Sequence, residues 1–220
     1  MTGDWSGAIF KYYPSPVKDD FLYDSGEASD PDFSSNTLEG KPLPVWAICG
    51  VIHRRDLPDQ EGTVFFVPAQ KRWKETGLDD YICTGILVTS EKIPHKNLFL
   101  QDIRFNKGYL ERYLRSLPHP KDKRRIKRLR EHNIIIGDQS RSVWFGRNSV
   151  PLRRVLKELR LSDQAEALDR RNPSIPRLTF EESKILYSTL TRRIKSIQPL
   201  PIERTAALES DLCACGEDEE

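Results

Sequence analysis

The sequence predicts an α+β fold, a small bent antiparallel sheet or small barrel with inserted and C-terminal helices. Three observations predict it. Apolar runs of strand length dominate the chain from Val45 to Thr89, without the intervening helical periods of a βαβ series. Gly85 stands inside the third run, where a glycine permits the bend by which a small sheet curls. Helical periodicity gathers later, after Lys107, and again after Pro151.

In order along the chain, Pro42 and Pro44 lead into the continuous apolar run Val45–Ile52, a first buried strand. Gly62 precedes a second, Thr63–Val67, stopped by Pro68. A third is expected over Tyr81–Thr89, and a half-exposed fourth over Leu98–Phe105. Tyr109, Leu110, Tyr113 and Leu117 share one face of a helix over Lys107–Leu117, ended by Pro118 and Pro120. A second helix over Asp122–Glu131 has only Ile126 and Leu129 as apolar anchors. A hairpin is expected next, Ile134–Ile136 and Ser142–Phe145 about a Gly137–Ser140 turn. Pro151 suits the first turn of a helix with the stripe Leu152, Val155, Leu156 and Leu159. Thr179 and Glu182 have capping-box spacing, and the helix they open runs to about Ser196. The resulting organisation is an acidic, partly flexible arm over 1–40, an α+β core over 41–170, a packed helix over 171–198 and an acidic disordered tail over 199–220.

Charge is distributed unevenly. The chain carries a net charge of only +2, but residues 1–40 hold two Lys against eight Asp and Glu. Residues 201–220 hold one Arg against seven acids, so the interval between carries +14. A cationic middle between anionic ends suits a polyanion partner for which the tails compete. The plain alternative is a solvated domain with acidic, solubilising ends. No apolar run approaches the roughly 20 residues of a membrane-spanning helix. Neither a signal peptide nor a disulfide framework is legible. Cys49 and Cys83 lie in apolar runs and Cys213 and Cys215 in the acidic tail, so the expected compartment is the reducing cytoplasm, or the nucleus in a eukaryote.

Motifs for catalysis are missing. Neither G-x-x-x-x-G-K-[ST] nor G-x-G-x-x-G occurs, and His53, His95, His119 and His132 are scattered. Cys213 and Cys215 have no matching pair for a zinc site. The E-x-K spacing of Glu182 and Lys184 falls on a helix rather than on a strand. The reading is therefore binding without a cofactor or metal, with a hidden nuclease or base-modifying activity kept as an alternative.

Between Arg104 and Arg130 stand eleven Lys and Arg against Glu111 and Asp122. Lys123, Arg124, Arg125, Lys127, Arg128 and Arg130, then Arg141, Arg147, Arg153 and Arg154, are the candidate phosphate contacts. Trp46, Trp73, Tyr81, Trp144 and Phe145 are the candidate base-stacking residues, with core packing the plain alternative for each. Trp144 and Phe145 are adjacent on a strand and face opposite ways, so one is expected at a ligand and the other in the core.

The order VWAICGVI, G-x-VFFV, YICTGILVTSEKI and NIIIGDQSRSVWFGRNSVPL resembles the PUA-like β-barrel domains, most of all their nucleotide-modification-associated and EVE-type branch. The matching residues are Gly62, Val64 and Phe66; Gly85, Val88 and Thr89; and Gly137, Asp138, Trp144, Phe145 and Gly146. Thr63 stands where that family's pattern has an acid. The resemblance implies a small barrel and recognition of a flipped or modified base in an aromatic pocket, not catalysis. The reading is thus a nucleic-acid-binding protein, DNA or RNA left open. The alternative is an inhibitor, immunity or adaptor module whose basic face binds an acidic protein.

Overall fold

The computed structural model describes residues 5–12, 31–47, 54, 56–68, 80–94, 104–109, 111, 133–169 and 176–194. Eleven strands, three α-helices and one 3-10 turn have their bounds within them, and Arg54, Asp56, residues 107–109 and Glu111 are helical as well. The strands are β1 (Trp5–Tyr12), β2 (Thr37–Leu38), β3 (Lys41–Pro42), β4 (Val45–Trp46), β5 (Thr63–Pro68) and β6 (Ile82–Cys83), then β7 (Gly85–Pro94), β8 (Asn133–Gly137), β9 (Val143–Trp144), β10 (Val150–Pro151) and β11 (Arg177–Thr179). The helices are α1 (Leu152–Glu158), α2 (Ser162–Ala167) and α3 (Phe180–Ile194). The fold is α+β, with a seven-stranded, open, mixed sheet in the order β11-β1-β5-β7-β8-β4 and β9 added on β7. The chain divides into two compact units, Met1–Asp24 with Thr63–Ile86 and Trp144–Glu220, and Ser25–Gly62 with Leu87–Val143.

In the first unit β1 runs parallel to β5, from Gly7 opposite Thr63 to Tyr12 opposite Pro68, and antiparallel to β11 on its other side. The sheet is mixed for this reason, where the sequence predicts an antiparallel one. A strand this close to the N-terminus also lies ahead of the boundary expected at Lys41. Ile9, Phe10 and Tyr12 supply its apolar content, and all three are buried. Phe66 receives the rings of Phe10 and Tyr12 edge-on, each at 6.2 Å between centroids.

The third apolar run is broken rather than continuous. Thr84 interrupts it, donating its N–H to Phe66 O and accepting from Phe145 N. Cys83 on one side pairs with Val150, while β7 begins at Gly85 on the other. The break falls at Thr84, next to the glycine where a bulge or bend is expected, and the two pieces pair with different strands. Cys83 is fully buried, and burial pushes its thiol up to about 12, so it is an inert core residue.

Helix α3 starts at the expected capping box. Thr179 N–H donates to Glu182 Oε2 at 2.7 Å, and Glu182 N–H donates to Thr179 Oγ1 at 3.3 Å. It buries Leu186 and Leu190, as α1 buries Leu152, Val155 and Leu156. Gly7 lets α3 approach β1 closely, since a β-carbon there would stand 2.0 Å from Ser183 Oγ.

In the second unit β8 is antiparallel both to β4, with Val45 opposite Ile136, and to β7, with Ile93 opposite Ile134. Leu43, Val45, Ala47, Ile93, Phe105, Tyr109, Ile134 and Ile136 form its apolar core. The hairpin expected over residues 134–145 is corrected. Its turn exists, but β8 and β9 each attach to β7 instead of to each other. Ser142 Oγ accepts from Val88 N, which holds the chain leaving the turn against β7. The Asp122–Glu131 helix, most of the Lys107–Leu117 helix and the Leu98–Ile103 part of the fourth strand lie outside the described residues.

Candidate nucleic-acid interface

The first unit places a group of exposed cations where α1 meets α3. Helix α1 turns its apolar stripe inward, so Arg154, Lys157 and Glu158 fall on the opposite, exposed face. Arg154 is 80% exposed in its side chain, and its Nε donates to Glu158 Oε1 at 3.1 Å, one helical turn on. Arg193 of α3 donates from Nη2 to the other oxygen, Glu158 Oε2. The hydrogen bond from Arg193 is the main cause that holds the Glu158 carboxyl below the usual carboxylate range; desolvation opposes it and the hydrogen bond from Arg154 assists.

One carboxylate thus serves two guanidiniums from two helices. Lys157 and Arg192 beside them are exposed and have no ion pair among the described residues. Arg154 spends only Nε on Glu158, leaving its two terminal nitrogens as donors. Helix α3 is polarised as well. Glu181 and Glu182 occupy its first turn and Arg192 and Arg193 its last, about 16 Å away at 1.5 Å per residue. Each charge suits the helix dipole, and the arrangement concentrates positive charge at one end of the helical pair.

Arg153 and Tyr81, both expected at the ligand, take part in a cluster of intramolecular contacts. Tyr81 is buried and lies beneath two cations, Lys11 Nζ at 5.0 Å and the Arg153 guanidinium carbon at 5.3 Å from the ring centre. Arg153 reaches Asp169 through Nη2 and stands 3.8 Å from Asp80. Lys11 donates to the carbonyl of Leu168. Burial lowers the Lys11 pKa, with Asp169 opposing and Arg153 assisting, and burial raises that of Tyr81. The cluster ties β1, α1 and the end of α2 together.

Of the adjacent aromatics, Phe145 is buried and Trp144 is half-buried. The backbone N–H of Phe145 donates to Thr84 O, and Arg147 is half-exposed in the following 3-10 turn, Gly146–Asn148. The φ of Gly146 is +51°, a conformation glycine adopts without penalty.

In the second unit Trp46 is fully buried, with the Arg54 guanidinium carbon 5.8 Å from its ring. Arg141 is committed to a turn. Asp138 Oδ1 accepts from the N–H groups of Ser140 and Arg141 and from Ser140 Oγ, and Oδ2 accepts from Arg141 Nε. Arg141 Nη1 reaches Glu61 at 2.6 Å. Burial would raise Asp138, but the bonds from Ser140 and Arg141 together outweigh it and hold the carboxyl at about 2. Gln139 Nε2 donates to the carbonyls of Leu38, Lys41 and Pro42, fixing this turn against the β2–β3 ribbon.

Of the expected aromatics, Tyr81 and Phe145 are buried and Trp144 half-buried in the first unit, and Trp46 is buried in the second. Lys123, Arg124, Arg125, Lys127, Arg128, Arg130 and Trp73 lie outside those residues. The α1–α3 meeting point was not legible as a site, although the i,i+4 spacing of Arg154 and Glu158 and the Arg192–Arg193 pair were its signals. Among the described residues no three His, Cys, Asp or Glu gather as metal ligands, and no helix is long and apolar enough to cross a membrane. Comparison with family models, with characterised proteins and with solved structures finds no match for this chain.

Proposed function

We propose that this protein binds nucleic acid through phosphate contacts. The observation that carries the reading is the α1–α3 cation cluster, where Arg154 and Arg193 share the single carboxylate of Glu158 and the neighbouring residues along the two helices, Lys157 and Arg192, are exposed. Guanidinium and ammonium groups on such a surface displace the counterions condensed on a nucleic acid's phosphates, and their release favours association entropically. The +14 carried by residues 41–200 supports the same reading, because the run Lys123–Arg130 adds six cations to it.

The finer reading follows from the resemblance to PUA-like domains. Trp144 is its best stacking residue, since it is half-buried and Phe145 beside it belongs to the core. Arg147, a few residues beyond the strand, would then serve a phosphate. Trp46 and Tyr81 are too enclosed to stack on a base without rearrangement.

Binding of the full chain to labelled single-stranded and double-stranded oligonucleotides, titrated with salt, tests the function. Affinity falling log-linearly with salt is the expected result. Absence of binding to DNA and RNA alike, together with salt-sensitive capture of an acidic protein, would replace it with the adaptor reading.

A further inference from the structure

We propose that the acidic C-terminal segment, residues 201–220, docks on the cationic end of α1 and α3 and competes there with polyanions. The competition rests on the nucleic-acid reading above; the docking does not. Three observations carry it. First, the surface already accepts a carboxylate, since Glu158 sits between Arg154 of one helix and Arg193 of the other. The donors left over, the terminal nitrogens of Arg154 with Lys157 and Arg192, are matched to further carboxylates.

Second, the charges are complementary. Residues 201–220 carry Glu203, Glu209, Asp211, Glu217, Asp218, Glu219 and Glu220 against Arg204 alone. Four of those acids close the chain in succession after Gly216. Third, the segment is tethered at the right place. Helix α3 ends at Ile194, one residue beyond Arg193, and 26 residues follow. At about 3.3–3.6 Å per extended residue, Glu209 and everything after it can return to that helix end. Such a tether gives an effective concentration of roughly a millimolar, so even weak ion pairs compete with a ligand in free solution.

Two measurements on the full chain test the proposal. The first is carbodiimide coupling at about 50 mM salt, where ion pairs are little screened. A zero-length cross-link between Lys157 and a carboxylate of residues 209–220 is expected, located by peptide mass spectrometry and abolished at about 1 M salt. Its absence overturns the docking.

The second compares oligonucleotide binding by the native chain with that by a variant carrying Glu217→Gln, Asp218→Asn, Glu219→Gln and Glu220→Gln. Roughly tenfold tighter binding by the variant at low salt is expected, the factor for a tethered segment whose dissociation constant is about a tenth of its effective concentration. Equal affinities would overturn the competition. A cross-link with no oligonucleotide binding by either chain would leave the docking standing and remove the nucleic-acid reading. Tight binding with no cross-link would do the reverse.

Discussion

Gly7 of β1 and Ser183 of α3 stand in direct opposition, with the serine hydroxyl 2.0 Å from the place a β-carbon on Gly7 would take. Ser183 is buried and its hydroxyl has no hydrogen-bond partner among the described residues. Close approach of helix to strand, not hydrogen bonding, therefore explains the pair. Gly7→Ala should destabilise the protein by about 1–3 kcal/mol through overpacking. Ser183→Gly should recover part of that loss, although glycine inside a helix costs about 1 kcal/mol by itself. Thermal melts of both single variants and the double variant give the coupling. Strict additivity would mean the two residues do not meet.

The Asp138 turn predicts an acid limb in stability. Its folded pKa of about 2 lies below the ordinary value of 3.8. A depressed carboxyl contributes stability above its unfolded pKa, and that contribution is lost as pH falls through the folded value. Glu61 adds to the same limb, lowered chiefly by its hydrogen bond from Arg141. Stability should decline from about pH 4 toward pH 2. Asp138→Ala should flatten the decline and cost about 1 kcal/mol near neutrality, because it removes the side-chain hydrogen bonds of a solvent-accessible turn. Urea midpoints at several pH values check this, and an unaltered pH profile in the variant would refute it.

Trp144 and Phe145 should separate cleanly. Phe145 is buried, so Phe145→Ala should cost about 3–5 kcal/mol of stability. Trp144 is half-buried, so Trp144→Ala should melt closer to the native protein while losing about 1–3 kcal/mol of binding to single-stranded oligonucleotides. Melting and binding assays on both variants decide the matter. Native-like binding by the Trp144 variant would remove stacking from the account.

Local patterns were legible where short-range chemistry decides them. Thr179 and Glu182 announce the start of α3, Pro151 the start of α1, and Thr63–Val67 a buried strand, because a cap, a fixed φ or an apolar run needs no distant partner. Pairing was less legible. Nothing in WSGAIFKY indicates that it lies parallel to TVFFVP, a partner more than fifty residues away. The turn at Asp138 likewise looks like that of a hairpin, because turn chemistry does not reveal that both flanking strands prefer β7.

The candidate site shows the same division. The sequence marks which residues are cationic, but not which of them their neighbours neutralise. Arg141 and Arg153 are equivalent to Arg154 on paper, but each of the first two meets two carboxylates, Asp138 and Glu61 or Asp80 and Asp169, whereas the Arg154 side chain meets Glu158 alone among the described residues and stays far more exposed. Arg193, far along the chain, joins Arg154 only once α3 packs on α1.

The most direct test of the central claim is the salt dependence of oligonucleotide binding for the native chain and for Arg154→Ala, Lys157→Ala, Arg192→Ala combined. The three side chains are exposed, and Arg193 remains to hold Glu158, so the variant should fold. Each phosphate that the variant no longer neutralises should flatten the log–log slope by about 0.7 for a single strand, or about 2 for all three. That flattening, with weaker binding at low salt, is the predicted result. An identical slope and affinity in a folded variant would contradict the assignment of this surface to nucleic acid.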